Sequence, residues 1–493
     1  MWMEKKQKNL ACSLLAGGWL IMNCYFLLCH EPWRDEAQTW LLARDLPFWK
    51  LPAQMSYEGH PCLWHMLIWP LVHMGLPYRV QNILAFVIVS IAVFLFTYRA
   101  RLPLLIKAVA VFSPMLTYYY PVIARNYCLI PLFLFLAALW YPARFEHPWR
   151  YTLMAALLVQ SHVMMVMTAF SLSFCFFCEC SIRFYRDRQR REYGNCIAAL
   201  SLPLGSAIFL LYELLHVERS SLLDIDTASV RRTLEKMMES TVEGTDMLCG
   251  ISGLWGVALF LLGLVLLLYL LLRNRTRAKY TAAVTLVLTW GFQFWFYAMA
   301  YSFSMQRLLT FPLLMIWAMW IVKTEEADDG ESAPAVQKVS VPQLFFAVFC
   351  LAALYHTIPD IKMDILGPYS NGEEAAAFMQ EKIPPQAIIL TDNQAEVSAI
   401  FPYLDRKDFI YAPNMHYYTF VTWDEHWMDR TDFDTFQRWL AQAEIGQRPV
   451  YLISSSNHSY IDGSERFAQE YALLYESATA SIKEEDYRIY RIQ

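Results

Sequence analysis

Charge is scarce in this chain. Of its 493 residues, 17% are Asp, Glu, Lys or Arg and 57% are hydrophobic; a soluble domain carries about 25% charged residues. An ordinary water-soluble protein is therefore excluded. Cysteine is absent after Cys350, and the eleven cysteines lie mainly within apolar runs, which argues against a disulfide framework. Cys175, Cys178 and Cys180 have metal-like spacing, but they sit in an apolar helix without a nearby histidine and are read as packing residues. No glycine-rich phosphate loop and no zinc-protease signature occurs. No basic cluster is interleaved with aromatics outside the apolar runs, so nucleic acid is not a partner. The first apolar run has no small-residue cleavage site after it and is expected to stay as a signal anchor.

What is present is a series of apolar runs of roughly 16–22 residues, the mark of a polytopic helical membrane protein, with a mean hydropathy of +0.28. Basic clusters separate them: Lys5/Lys6/Lys8, Arg99/Arg101/Lys107, Arg144/Arg150, Arg183 to Arg191, and Arg273 to Lys279. Placing all of them on the cytoplasmic side requires that the run Pro61 to Gly75 does not cross. It is short, contains Pro61, Pro70, His65 and His73, and suits the headgroup layer. The expected spans are 10–29, 79–98, 103–119, 126–142, 150–161, 163–182, 195–215, 251–272, 280–300, 307–323 and 341–358, about eleven crossings at the length a bilayer needs. The segment 150–161 is short, and is expected either to continue as one bent helix around Ser161-His162 or to line a cavity. The N-terminus is then cytoplasmic and the C-terminus extracytoplasmic, as in a multi-pass protein of a bacterial plasma membrane.

Two regions, 1–358 and 359–493, differ in kind. The loop Thr324 to Lys338 reads as a flexible cytoplasmic segment, and Val230 to Met238 as an amphipathic helix on the membrane surface. In the tail, Ala387–Thr391 and Val450–Ser454 are buried-strand runs, preceded by helical patterns at Glu373–Lys382 and Asp432–Ala443. This alternation predicts a small extracytoplasmic α/β domain. Ser454 to His458, after a strand, reads as a polar turn.

The few charges near the outer span ends are the candidates for chemistry, because charge at a membrane boundary is costly unless it binds or reacts. Asp35 and Glu36 follow the first span. An acidic pair also suits the first turn of a helix. Glu58 and His60 flank Gly59 in a turn before the non-crossing helix, placed to hold a sugar or an acceptor. The pair admits a divalent cation, but two ligands on one turn are too few to bind one tightly, and no cofactor is required. Arg125, with Asn126 and Tyr127, joins two spans; a guanidinium there suits a bidentate phosphate contact. His162 and Arg307 lie at further outer span ends.

At Asp35-Glu36, Glu58-Gly59-His60-Pro61, Ala124-Arg125-Asn126-Tyr127 and Ser161-His162 the chain resembles the GT-C superfamily of integral-membrane glycosyltransferases, in the branch of protein O-mannosyltransferases and lipid A aminoarabinose transferases. The pattern covers roughly residues 10–180. The sequence lacks the lysine beside the proline of the aminoarabinose branch, and its tail does not look like the repeats of the mannosyl branch. The resemblance implies an inverting transfer of a sugar from a polyprenyl-phosphate donor to an extracytoplasmic acceptor. Asp35 and Glu36 would be the catalytic carboxylates. Glu58, His60, Arg125, Asn126, Tyr127, His162 and Arg307 would hold substrate. Competing readings are a polymerase or ligase of O-antigen type using a lipid-diphosphate donor, a lipid or sugar transporter (a flippase), and a structural or sensory membrane protein.

Overall fold

The computed structural model describes residues 2–187, 190–215, 230–249, 253–273, 276–299, 304–328, 340–424, 426–427, 429, 432–442, 448–455, 461, 465–478 and 485–493. Six helical stretches are long and apolar enough to cross a membrane: Asn9–Cys29, Val80–Arg99, Val163–Arg186, Arg190–Leu215, Met305–Ala327 and Val341–Leu366. The chain is a multi-span membrane protein.

The first span belongs to α1 (Trp2–Cys29). Three short helices follow: α2 (Arg34–Asp45), α3 (Leu51–Glu58), which ends at Gly59 in the left-handed region (φ 73°), and α4 (Leu63–His73) with Pro70 inside it. At 1.5 Å per residue α4 is about 16 Å long, too short to cross. Next come α5 (Val80–Arg99) and α6 (Leu104–Val111). The expected span 103–119 is not one helix. Pro114 offers no backbone donor, Ser113 Oγ donates to Ala110 O (2.6 Å), and the chain re-forms as a buried π-helical turn, Met115–Tyr119.

The helices α7 (Leu129–Trp140), α8 (Pro148–Ser161) and α9 (Val166–Asp187) pack in sequence order. The continuation of 150–161 as one bent helix around Ser161-His162 is not what forms: His162 is extended (φ −164°, ψ 145°), and α9 lies against α8. The remaining helices of the bundle are α10 (Arg190–Ala199), α11 (Ser201–Leu215), α12 (Val230–Cys249), α13 (Gly253–Arg273), α14 (Arg277–Met299), the one-turn α15 (Met305–Leu308), α16 (Thr310–Asp328) and α17 (Val341–Leu366). The amphipathic segment is longer than its expected 230–238 core, and as α12 it packs on α13, α14 and α17. Most of the acidic loop, 329–339, lies outside the described residues, as does Ser456 to His458. The last span does not stop at Pro359. It runs to Leu366, because Asp360 and Asp364 find tyrosine hydroxyls as partners in the bundle: Tyr119 OH (2.8 Å) and Tyr118 OH (2.8 Å).

After α18 (Gly372–Lys382) comes a six-stranded sheet of order β3-β2-β1-β4-β6-β5: β1 (Ile388–Thr391), β2 (Phe409–Tyr411), β3 (His416–Tyr418), β4 (Val450–Ser455), β5 (Ala472–Glu476) and β6 (Tyr487–Arg491). Strand β1 pairs parallel with β2 and with β4; the other pairs are antiparallel. Parallel strands covered on both faces read as unbroken apolar runs, which is why β1 and β4 are visible in the sequence. Apolar packing is continuous from the bundle into the sheet: Tyr369, Ala375, Ile389, Tyr411 and Tyr487 join the same core as Trp19, Phe96 and Trp317. Helix α2 lies at this seam, against α4 on one side and the segment Ser398–Tyr403 on the other.

Candidate functional site

The site is built around the first turn of α2. Trp33 is extended (φ −108°, ψ −178°), and Arg34 opens the helix. Glu36, at the third helical position, turns back so that Oε2 accepts from Trp33 N (3.2 Å), satisfying a donor that a helix start leaves open. The carboxylate is fully buried. Its Oε1 accepts from Asn82 Nδ2 on α5 (2.6 Å) and from Ala124 N (2.6 Å), and its Oε2 meets His30 Nε2 (3.1 Å). The other ring nitrogen of His30 meets Asp364 Oδ2 on α17 (3.0 Å). One imidazole thus ties the end of α1, the start of α2 and the end of α17 together.

Burial alone would push the His30 imidazole down, but the carboxylates of Asp364 and Glu36 outweigh it and hold it up to about 10. The folded value lies above the unfolded one, near 6.5. Its contribution to stability is therefore complete below about pH 6.5, falls by about 1.4 kcal/mol per pH unit above that, and is gone past the folded value. Thermal unfolding of the wild type and of His30→Gln across pH 6 to pH 10.5 checks this. The stability difference between the two is expected to shrink steadily with rising pH; a constant difference would refute a charged His30.

Glu36 also aligns two partly exposed residues. Its own neighbour in sequence is Asp35, and the neighbour of its partner Ala124 is Arg125. Arg125 Nη1 forms an ion pair with Asp35 Oδ2, both side chains being partly exposed. Arg34 Nε lies 3.9 Å from Asp35 Oδ1. Arg34 also bridges to the C-terminal region: its Nη1 donates to Glu396 Oε1 (3.4 Å) and its backbone N to Glu485 Oε1 (3.1 Å). Burial pushes the Glu485 carboxyl up to about 8.

A second group stands behind Arg125. Met164 N donates to His162 Nδ1 (3.1 Å), so Nε2 carries the proton and faces Tyr127 OH (3.1 Å). Arg307 Nε donates to the same phenol (3.3 Å), and the Tyr127 ring stacks on His162 with centroids 4.7 Å apart. His162 lies within electrostatic reach of Arg307, His60 and Arg125. Asn126 is spent on the scaffold: its Nδ2 donates to Ser161 O (2.9 Å) in the buried interior.

Glu58 and His60 come from the turn at Gly59. Gln38 Nε2 donates to Glu58 Oε1 (2.7 Å). Gln38 also pairs with Val421 through both amide atoms, Nε2 to Val421 O (2.8 Å) and Val421 N to Oε1 (2.9 Å), which fastens the loop after β3 to α2. Burial pushes Glu58 up to about 8, against hydrogen bonds from Gln38 and Trp423. Burial likewise pushes His60 down to about 4, so near neutrality its ring carries no charge. His60 stacks on His65 (5.2 Å). Among the described residues no group of three or more His, Cys, Asp or Glu side chains is placed to hold a metal ion.

The structure therefore pairs Asp35 with Arg125, joins Tyr127, His162 and Arg307 beside them with His60 in electrostatic reach, and ties Glu58 to Gln38, one helical turn from Asp35. It turns Glu36 and Asn126 inward as supports. Sequence reasoning missed His30, Gln38, Asn82 and Asp364. Asp364 carried a signal, a carboxylate close after an apolar helix, which an expected break at Pro359 hid.

No family model and no curated protein matches the chain. Among solved structures it is similar to the crystal structure of ArnT from Cupriavidus metallidurans bound to undecaprenyl phosphate, with a TM-score of 0.54, 12% sequence identity, and 98% of each chain covered. At that identity the likeness is one of fold, and it covers the sheet as well as the helices. The expected architecture, a polytopic helical membrane fold with a C-terminal α/β region, is the one observed, and it is shared with that structure.

Proposed function

We propose that this protein is a membrane glycosyltransferase that moves a sugar from a polyprenyl-phosphate donor to an acceptor hydroxyl outside the cytoplasm, with inversion at the anomeric carbon. The observation that carries this reading is the partly exposed Asp35–Arg125 pair, aligned by one buried carboxylate, in a fold shared with a protein that binds undecaprenyl phosphate. As it stands, the pair is closed on itself. A donor phosphate competes with Asp35 for the Arg125 guanidinium, and its binding frees the carboxylate. The acceptor oxygen then attacks the anomeric carbon while Asp35 takes its proton. The bond from that carbon to the phosphate oxygen breaks, and the electron pair leaves with the polyprenyl phosphate. Negative charge grows on that oxygen, so Arg125, with Arg307 beside Tyr127, stabilises the transition state more than the ground state. Glu58, neutral in much of the protein below its raised value, offers a hydroxyl proton to sugar oxygens. A lipid-phosphate donor suits a site facing away from the cytoplasm, where nucleotide sugars are made.

Arg125→Lys tests the phosphate role. Lysine keeps the charge but loses the fork that grips two oxygens. The variant is expected to fold, bind the donor somewhat less well and lose about 10²-fold or more in kcat, the scale of one lost transition-state donor. Turnover of polyprenyl-phosphate sugars by purified protein reads it. An unchanged kcat would return Arg125 to a structural partner of Asp35. Transport of lipid across vesicles without sugar transfer would favour the flippase, and turnover of lipid-diphosphate donors alone would favour the polymerase or ligase.

A further inference from the structure

The loop after β3 carries a tryptophan in a strained backbone. Trp423 has a φ of 54°, in the left-handed region. Among the described residues other than glycine only Met415 shares that region, and it lies in the turn between β2 and β3. A bulky residue adopts such a backbone only where its surroundings hold it, and strain of this kind gathers at ligand sites. The loop is fastened on both sides of Trp423. Before it, Val421 is clamped by the Gln38 amide of α2, and Thr422 Oγ1 donates to Gln394 Oε1 (3.5 Å). After it, Tyr411 OH on β2 donates to Asp429 O (2.5 Å) and lies 3.2 Å from Trp427 O. The Trp423 indole donates to Glu58 and packs edge to face on Trp427, with ring centroids 4.7 Å apart at 67°. Both indoles and Glu58 remain partly exposed. The C-terminal region thus sets two aromatic surfaces beside Glu58.

The winding of α2 places these surfaces relative to Arg125. Viewed down the helix from Asp35, Glu36 lies about 100° to one side and Gln38 about 60° to the other. Glu36 leads to Ala124 and so to Arg125. Gln38 leads to Glu58, Val421 and Trp423. Asp35 stands between the two groups. In an inverting transfer the acceptor approaches the anomeric carbon from the side opposite the departing phosphate. With the phosphate on Arg125, the acceptor side is therefore that of Gln38, Glu58 and the two indoles.

We propose that Trp423 and Trp427 bind a sugar ring of the acceptor, which makes the acceptor a carbohydrate-bearing molecule. This rests on the transferase reading of the Asp35 site. A pyranose ring has a face of C–H groups, which suits the electron-rich face of an indole. Its rim carries hydroxyls, which suit the carboxyl of Glu58. Apolar surface with one or two placed polar groups is how small ligands are oriented.

The test reads binding rather than turnover, so it is separate from the transfer reaction. Full-length protein, in a detergent without a sugar headgroup, is titrated with methyl β-glucoside, with methyl β-N-acetylglucosaminide and with a serine- and threonine-containing peptide, and contacts are followed by saturation-transfer NMR. At least one glycoside is expected to bind through its ring C–H protons. Trp423→Ala and Trp427→Ala are each expected to weaken it by about tenfold, the scale of one lost aromatic contact, and Trp423→Phe to keep most of the affinity. Polyprenyl-phosphate glucose is expected to leave the glycoside in place. Absence of glycoside binding, or equal binding by the wild type and both alanine variants, would overturn the platform. Binding of the peptide alone would make the acceptor a protein and overturn the proposal. Displacement of the glycoside by polyprenyl-phosphate glucose would give the platform to the donor's own sugar and overturn the acceptor role. Glycoside binding in the expected pattern by a protein that transfers no sugar would sink the transferase reading alone and leave Trp423 and Trp427 a sugar-binding pair.

Discussion

Asp35→Asn is expected to lower sugar transfer by about 10²–10⁴-fold, the usual cost of losing a positioned base, with the fold intact and donor binding at least as strong. Asparagine has the same shape and still reaches Arg125, but it cannot take a proton from the attacking hydroxyl. In the proposed reaction Asp35, which pairs with Arg125, also competes with the donor phosphate for that guanidinium. Removing its charge therefore leaves the guanidinium more available. Kinetics with purified protein separate the two effects: kcat should collapse while the donor Kd stays the same or falls. Full turnover by a folded Asp35→Asn protein would remove the base from this carboxylate. A weaker donor Kd would remove the competition.

Glu36→Ala is expected to be the most destabilising of the single substitutions considered, by about 3–5 kcal/mol, the scale for breaking a buried charge pair from one side. The variant leaves the His30 cation with Asp364 alone and takes the acceptor from Asn82 Nδ2, Ala124 N and Trp33 N. Each buried donor left without a partner costs about 1–3 kcal/mol. The melting temperature in detergent measures the loss. Because Ala124 is freed, Arg125 should also lose its alignment, so activity at temperatures where the variant is still folded should fall as well. A variant with wild-type stability would mean that the four hydrogen bonds around Glu36 contribute little.

Much of the architecture was legible. Long apolar runs with basic ends predict spans because backbone polar groups in hydrocarbon must be satisfied within a helix. The short helix before α5 was legible from its prolines and histidines, and β1 and β4 from their unbroken apolar runs. The strands β2, β3, β5 and β6 were not, since β2 and β3 are only three residues long and β5 and β6 are antiparallel with mixed burial, so none leaves a strong pattern. The break in 103–119 was missed because composition records that a run is apolar, not where a serine hydroxyl and a proline interrupt its hydrogen bonds. The end of α17 was misplaced because Pro359 looks like a stop until Tyr118, Tyr119 and His30 are seen to receive the carboxylates beyond it.

The sequence by itself determined that this is a membrane protein of many spans, that its acidic pair stands just past the first of them, and that arginines stand at other span ends. Tertiary structure alone decided what each member of the pair does. Asp35 and Glu36 are chemically near-equivalent, and on a helix adjacent residues point about 100° apart. One of them must face inward and the other out, and no local pattern says which. The choice is made by His30, Asn82 and Ala124, residues from three other segments, which enclose Glu36 and leave Asp35 partly exposed, where it meets Arg125.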